Sequence, residues 1–283
     1  LSILVDFSAV AVSSVMISMQ QHIELDENAT RHIVLNVIRS VRRKFHKQYG
    51  EVVICIDAKN YWRKQIFPHY KASRKAARKQ STIDWNRLFE IIDTIHNEIK
   101  EFFPYKVIRV DRAEADDIIG AICTREPGPH IIISNDKDFL QLQRIPGIAM
   151  YSPRLSSLMK CDNPGSFLIE HIIRGDLGDG IPNVLSDDDT FVNPDKRQKR
   201  LTDAKVNEWI ASVPENVFNA EVMQNYNRNE SLISLFKIPE DIIEEVHRCY
   251  IDNSTITGGR GMKLMKYFMD KGLRNLVENL EEF

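Results

Sequence analysis

Residues 107–139 read VIRVDRAEADDIIGAICTREPGPHIIISNDKDF, and the carboxylates gather just after two apolar runs. Residues 106–110 lead into Glu114, Asp116 and Asp117, while residues 130–133 end in Ser134, Asn135, Asp136, Lys137 and Asp138. Acids this close repel one another unless a cation neutralises them, and hard carboxylate oxygens are what Mg²⁺ or Mn²⁺ prefers. Strand ends are also where an α/β sheet presents its ligand site. The arrangement recurs: Asp6 closes the apolar run LSILVDF, Asp57 follows residues 52–56, and the glycine-punctuated GDLGDGIP holds Asp176 and Asp179. Spacing ranks the acids. Glu114 and Asp117 are three apart and share a helix face, whereas Asp116 points elsewhere and reads as a supporting or surface group. Asp136 and Asp138 are two apart, so an extended strand end directs both the same way.

A second feature has the opposite charge. Residues 58–83 carry Lys59, Arg63, Lys64, Lys71, Arg74, Lys75, Arg78 and Lys79 with no acid at all. Within it, YWRKQIFPHYKASRKAARKQ (61–80) interleaves aromatic and basic residues. One-signed charge with little to bury suits a polyanion better than a solvated helix, and the stretch is expected to stay mobile until that partner arrives. Its Arg and Lys would meet phosphates, and Tyr61, Trp62 or Tyr70 could stack on bases. Acidic clusters at strand ends beside a basic segment point to metal-assisted phosphodiester hydrolysis. In such sites two ions about 3.5–4 Å apart serve the attacking and leaving oxygens, and nearby cations stabilise the phosphate.

Other chemistries lack their residues. There is no GxxxxGK[ST] loop and no GxSxG elbow, and Gly258-Gly259-Arg260-Gly261 follows no strand. The histidines form no HExxH and read as surface or packing groups, except His69, whose basic setting suits a phosphate contact. Cys55, Cys123, Cys161 and Cys249 are dispersed and read as ordinary thiols.

The elements that must position these groups follow from periodicity. Apolar runs at 1–7, 52–56, 105–110, 131–134 and 148–151 predict strands. Near-helical apolar spacing predicts helices over 26–49, 84–103 and 113–125, with a short helix beginning at 138–142. The rhythm is βαβ, so the fold class is α/β with a mainly parallel central sheet flanked by helices. Beyond 160 the segments 167–173, 204–212, 217–227, 231–235 and 239–250 read as helical or mixed, followed by two short pieces within 262–280. Residues 1–160 are therefore expected to form an α/β core and 161–283 a mostly helical region packed beside it. At 283 residues, 43% hydrophobic and 28% charged with a formal charge of -2, the chain has the make-up of an ordinary globular protein. No apolar run approaches the roughly 20 residues of a membrane-spanning helix and no secretory signal is visible, so a cytosolic protein is expected. The chain opens on Leu1 directly into a strand, so a short leader ahead of it is expected.

At LVDFS, YWR…YKASR, EADD, SNDKDF and GDLGD the sequence resembles the flap endonuclease, or 5′-nuclease, family, and looks most like its ribonuclease H branch from T-even bacteriophages. The likeness extends over almost the whole chain. It implies a PIN-like, 5′-nuclease fold with a helical arch at about residues 59–83. It also implies a 5′ to 3′ nuclease that removes RNA primers and adjacent DNA from lagging-strand fragments and cuts 5′ flaps or forks. Carried over by position, Asp6, Asp57, Glu114, Asp117 and Asp136 match the residues around a first Mg²⁺ or Mn²⁺. Asp138, Asp176 and Asp179 match those around a second. Tyr70, Lys71 and Arg74 match the YKxxR signature of the arch. Lys71 and Arg74 would act on phosphate, with Asp117 and Asp136 in the reacting centre and Arg63, Lys75, Arg78 and Lys79 holding substrate.

GDLGDGIPNV is similar to the start of the family's helix-three-turn-helix, which grips duplex. The chain departs from that pattern at Gly180, where many members have Asn, and in LSDDDTFVNPDKRQKR after Asn183 and Val184. A modified duplex grip is therefore expected, with Lys196, Arg197, Lys199 and Arg200 compensating for Asp187, Asp188 and Asp189. The resemblance further implies a monomer in the cytoplasm of an infected bacterial host, with RNA/DNA hybrid or flapped DNA, a single-strand DNA-binding protein and a sliding clamp as partners. Two other readings fit the residues: a PIN-like ribonuclease acting on single-stranded RNA, and a replication factor that binds nucleic acid without turnover.

Overall fold

Strands with no polar alternation must be covered on both faces, and the computed structural model arranges them that way. It describes residues 1–20, 25–126, 128–212, 214–254 and 256–283. The strands are β1 (Ser2–Asp6), β2 (Val52–Cys55), β3 (Lys106–Ile108), β4 (His130–Ile133), β5 (Ile148–Ser152) and β6 (Ser157–Met159). They form one sheet in the order β3-β2-β1-β4-β5-β6, parallel except for the β5–β6 pairing. The expected mainly parallel sheet is what forms. β6 gave no apolar signal because it is short and largely exposed at the sheet edge.

The α-helices are α1 (Phe7–Gln20), α2 (Glu27–Tyr49), α3 (Arg63–Ile66), α4 (Ala72–Gln80), α5 (Trp85–Phe102), α6 (Ala115–Arg125) and α7 (Pro164–Arg174). They continue with α8 (Asp203–Ile210), α9 (Pro214–Val217), α10 (Ala220–Ile233), α11 (Glu240–Ile251), α12 (Met262–Asp270) and α13 (Arg274–Val277). Boundaries follow local chemistry. Asp26 caps α2 by accepting from Ala29 N at 2.7 Å, and Gly50, at φ 78°, closes it. Asp84 caps α5 through Arg87 N at 2.9 Å. The short helix expected near Asp138 is a 3-10 helix, Lys137–Arg144. The expected helical pieces at 217–227 and 231–235 are largely one helix, α10. Helix α1 escaped the periodicity reading because FSAVAVSSVMISMQ has no charged face; Val10, Ala11 and Val15 are buried, and Ser14 returns its hydroxyl to Val10 O at 2.7 Å.

Alternate strand residues feed two cores. Ile3, Val5, Ile54 and Ile133 pack under α1, α2 and α5, joined by Tyr267, Phe268 and Phe283 from the chain's end. Leu4, Val53 and Ile132 pack under α6 and α11. A third core gathers Leu168, Ile172, Trp209 and Tyr226 with Phe67 and Tyr70. Residues 61–70, expected to have little to bury, put Trp62, Arg63, Phe67 and Tyr70 inside while Lys64, Gln65, Ile66 and Pro68 stay exposed. Among the described residues no helix is long and apolar enough to cross a membrane.

Strand order supplies the logic of the site. The chain steps outward from β1 to β2 and β3 on one side, then returns to build β4 and β5 on the other. The reversal between β1 and β4 opens a crevice beyond their carboxyl ends. Asp6 and Asp136 lie there.

Candidate active site

A cleft of about 820 Å³ runs across the carboxyl ends of the strands, and Asp6, Asp57, Glu114, Asp116 and Asp136 line it together with Lys71 and Arg74. Asp6 is almost fully buried and is held by Ser134 Oγ at 2.8 Å and Ala9 N at 3.2 Å. Asp57 accepts from Ala115 N at 2.8 Å, which fixes the start of α6 against the end of β2. Asp136 caps the 3-10 helix through Asp138 N at 3.0 Å. Burial and then the Asp57 charge push Asp6 up to about 7, against the pull of its two hydrogen bonds. Burial, followed by Asp6 and Asp136, holds Asp116 well above the usual carboxylate range. Burial also lifts Asp136, which senses Asp179 and Asp176 in addition. These oxygens lose water and repel one another, and a hard divalent cation supplies the missing neutralisation. The donor set fits such an ion.

The second group differs from its expectation. Asp138, His171 and Asp176 bring ligand atoms within 4.8 Å of one another. His171 Nε2 lies 3.2 Å from Asp176 Oδ2 and its Nδ1 lies 3.3 Å from Asp138 Oδ1. This Nδ1 is buried without a hydrogen-bond partner among the described residues. Burial, with Asp136 next, pushes Asp138 up to about 8. The sequence alone presents His171 as a packing histidine; the available signal is its place in the last turn of α7, one turn ahead of the GDLGD loop. That loop is closed by Asp176 N to Ile181 O at 2.8 Å and Ile181 N to Asp176 O at 2.7 Å. Gly175 makes the closure possible, since it sits at φ 69° where a Cβ would lie 2.3 Å from Ile181 O. Asp179 turns from this group toward the basic residues: Lys71 N donates to its carbonyl at 2.7 Å, and Lys71 Nζ lies 3.5 Å from its carboxylate.

Two acids exchange the places that spacing gave them. Asp117, expected as a metal ligand, is fully buried, and its Oδ2 accepts from Trp62 Nε1 at 3.0 Å, Arg63 Nη1 at 2.9 Å and Glu114 N at 2.9 Å. Asp116 is the one that faces the cleft. The shared face of Glu114 and Asp117 is real, but it faces Arg63. Arg63 is buried, bonding Glu114 Oε2 at 3.1 Å and Leu232 O at 2.7 Å, so it is an internal counter-ion and cannot reach substrate from there. Tyr70 is likewise buried, its hydroxyl 2.8 Å from Glu114 Oε2 and 2.9 Å from Asp179 Oδ2. With Trp62 also buried, neither ring is free to stack on a base.

Lys71, Arg74 and Arg78 do line the cleft. Lys71 Nζ pairs with Glu114 Oε1; Arg74 donates to Gly178 O at 3.0 Å and pairs with Asp179. Burial works against the Lys71 charge, but Asp179 and then Glu114 more than restore it. The side chains of Lys75 and Lys79 lie outside the described residues. In the departure after Val184, Lys196 is clasped by Asp187 at 2.8 Å and Asp189 at 2.7 Å, and Arg228 pairs with Asp188. Lys196 thus serves its own loop, while Arg197 and Arg200 are exposed.

Metal-free protein should show this repulsion in its stability. Asp6, Asp116, Asp136 and Asp138 have folded-state pKa values above the ordinary 3.8. Their stabilising contribution is full below that value and is lost as pH rises through about 7 for Asp6 and about 8 for Asp138. His171, also raised, has the same sign. In EDTA the Tm is expected to fall by at least about 5 °C between about pH 5 and pH 8, and added Mg²⁺ should flatten the slope. A Tm in EDTA that climbs over that interval would contradict the cluster.

Comparison with known proteins places these features. Residues 3–164 match the family described as 5′-3′ exonuclease, N-terminal resolvase-like domain, and residues 165–283 match T4 RNase H, C terminal. Ribonuclease H of Enterobacteria phage T4 is 32% identical over 293 residues, covering 99% of this chain and 95% of that protein. The exonuclease of Escherichia phage T7 is 28% identical over 172 residues, covering 58% of this chain and 54% of its own. A bacteriophage T5 protein co-crystallised with metal ions shares the fold with a TM-score of 0.63 at 16% identity, over 89% of this chain and 99% of its own. The T5 5′-exonuclease with bound zinc superposes with a TM-score of 0.58 at 18% identity, over 96% of this chain and 98% of its own. With both halves of the chain matched and its acids converging where the strand order reverses, this protein belongs to the flap endonuclease/5′-nuclease family and is a metal-dependent nuclease acting on DNA or RNA.

Proposed function

We propose that the chain is a 5′ to 3′ exonuclease and structure-specific 5′-flap or fork endonuclease with ribonuclease H activity, removing RNA primers during lagging-strand replication. The observation that carries it is the convergence of Asp6, Asp57, Asp116 and Asp136, from separate segments, against Lys71 and Arg74 in one cleft. A first ion would be held by those four acids, with Glu114 behind them. A second would be held by Asp138, Asp176 and His171, with Asp179 at its edge. Two Mg²⁺ ions, replaceable by Mn²⁺, would supply an activated water and neutralise the leaving oxygen of an in-line displacement.

The chain's own groups do the rest. Lys71 and Arg74, released from Glu114 and Asp179, engage the scissile phosphate and stabilise charge growing on it. Arg63 and the Tyr70 hydroxyl hold Glu114 in place while they leave. Asp136, which raises Asp6 and Asp116 and is itself raised by Asp179 and Asp176, stands between them. The ribonuclease H likeness supports a monomer in an infected bacterial cytoplasm, with a single-strand DNA-binding protein and a sliding clamp as partners.

A cleavage assay on 5′-flap DNA, an RNA/DNA hybrid and unstructured RNA tests this. Cutting of the first two in Mg²⁺ is expected to stop in EDTA. Lys71→Ala is expected to slow turnover by about 10²–10³ while weakening binding far less. Cutting confined to unstructured RNA would establish the single-strand ribonuclease instead. Salt-sensitive binding with no turnover in Mg²⁺ or Mn²⁺ would establish a binding factor.

A further inference from the structure

Helix α5 carries more apolar surface than its core requires. Leu88, Ile91, Ile95 and Ile99 form the buried stripe. Trp85 and Phe89, one turn apart, fall on an adjacent stripe that forms part of the cleft wall. Phe89 is 36% exposed. Its ring centroid lies 5.9 Å from that of Trp85, with 32° between the planes. Trp85 is half-buried and packs on the core, with its indole N–H buried and unpartnered among the described residues, whereas the exposed Phe89 ring inside a charged cleft is not explained by packing.

What shares the cleft with them identifies the ligand chemistry. Lys71, Arg74 and Arg78 follow one another along the start of the arch at helical spacing, and all three line the same cleft. The carboxylates lie at one end of this row. At the other, the Arg78 guanidinium sits 4.8 Å from the Phe89 centroid and 5.4 Å from that of Trp85. A ligand offering negative charge along its length and a flat π-face at its end fits this order, and a nucleotide strand has that form. Bases inside a duplex have their faces covered by neighbours, so only an unpaired nucleotide can present one. Of the rings expected to stack, Trp62 and Tyr70 are 5% and 3% exposed; Tyr61 also lines the cleft, beside Lys71, and the α5 pair is the aromatic surface that meets Arg78.

We propose that Trp85 and Phe89 form a stacking subsite for an unpaired nucleobase of the substrate, at the end of the cleft away from Asp6, Asp57, Asp116 and Asp136. The proposal rests on the reading of that cleft as a nuclease site. The incoming base replaces the Arg78 guanidinium on the ring face, and Arg78 turns to the phosphate of the same nucleotide. The cation–π contact thus keeps the apolar surface covered while substrate is absent.

The test is binding in EDTA, where turnover is stopped, of 5′-flap DNA with either normal or abasic residues in the unpaired arm. Wild type is expected to bind the normal arm roughly tenfold more tightly than the abasic one. Phe89→Ala should bind both equally, at the abasic level. Phe89→Tyr should keep the preference. Phe89→Leu retains apolar volume without a π-face and should lose it, which separates stacking from simple packing. A wild-type preference unchanged in F89A and F89L, or no wild-type preference at all, overturns the subsite. If wild type cuts flaps in Mg²⁺ yet ignores abasic residues, the subsite falls and the nuclease reading stands. If the preference depends on Phe89 but nothing is cut, the subsite stands and the nuclease reading falls.

Discussion

Asp116→Asn is expected to abolish Mg²⁺-dependent cleavage, by at least about a hundredfold, while leaving the Tm equal to or above that of wild type. Asp117→Asn is expected to strike stability first. The two residues are neighbours on α6, and helical spacing puts them on different faces without saying which face meets the cleft. Asp116 faces the cleft, where Asp6 and Asp136 raise its pKa on top of burial, so removing its charge relieves repulsion in metal-free protein and deletes the proposed oxygen ligand. Asp117 has no such freedom. It is foremost among the attractions that keep Arg63 charged against the cost of burial. Breaking a buried pair costs about 3–5 kcal/mol, or on the order of 10 °C in Tm for a chain of this size. Thermal melts of both variants in EDTA, beside single-turnover cleavage in Mg²⁺, decide the matter. A D117N protein with wild-type Tm and no cutting would restore Asp117 as a ligand.

Arg63→Met is expected to be the more damaging change to the fold. Its Nη1 lies 3.1 Å from Glu114 Oε2 and 2.8 Å from Asp117 Oδ1, and its Nε donates to Leu232 O at 2.7 Å. Met keeps much of the volume but leaves buried Asp117 without its cation and Glu114 with only the Lys71 cation among the described residues, so the loss is about 5 kcal/mol or failure to accumulate folded protein. Arg63→Lys keeps the charge without the planar fork and should fall between. The measurement is Tm beside KM for a 5′-flap substrate. An unchanged Tm with raised KM would return Arg63 to the substrate-contacting role that its sequence neighbourhood suggested.

The contrast between these sites shows what the sequence could carry. Parallel strands buried on both faces must be apolar throughout, so β1, β2, β4 and β5 stood out in the string of residues, and the acids after them marked the crevice. The helix starts expected at 26 and 84 are local too, and the structure caps them with Asp26 and Asp84. Spacing could place Glu114 and Asp117 on one face of α6 but could not say what that face meets. The answer depends on Arg63, which arrives from 51 and 54 residues away. The charge of residues 61–70 suggested a stretch with little to bury because its burial partners, Leu232 among them, lie far along the chain. His171 became visible only when α7 and the Lys137–Arg144 helix packed together.

Given the proposed function, the pairing of Lys71 and Arg74 with Glu114 and Asp179 makes metal and nucleic acid thermodynamically linked ligands. While no other cation neutralises those carboxylates, the two side chains are internal counter-ions, and a phosphate must compete with them. A divalent ion that takes over the neutralisation frees them, so each ligand raises the affinity of the other. Linkage makes the factor the same in both directions. The backbone bond from Lys71 N to Asp179 O, at 2.7 Å, ties the arch base to the acidic loop through the exchange. Charge is what is handed over, and cooperativity arises without a hinge.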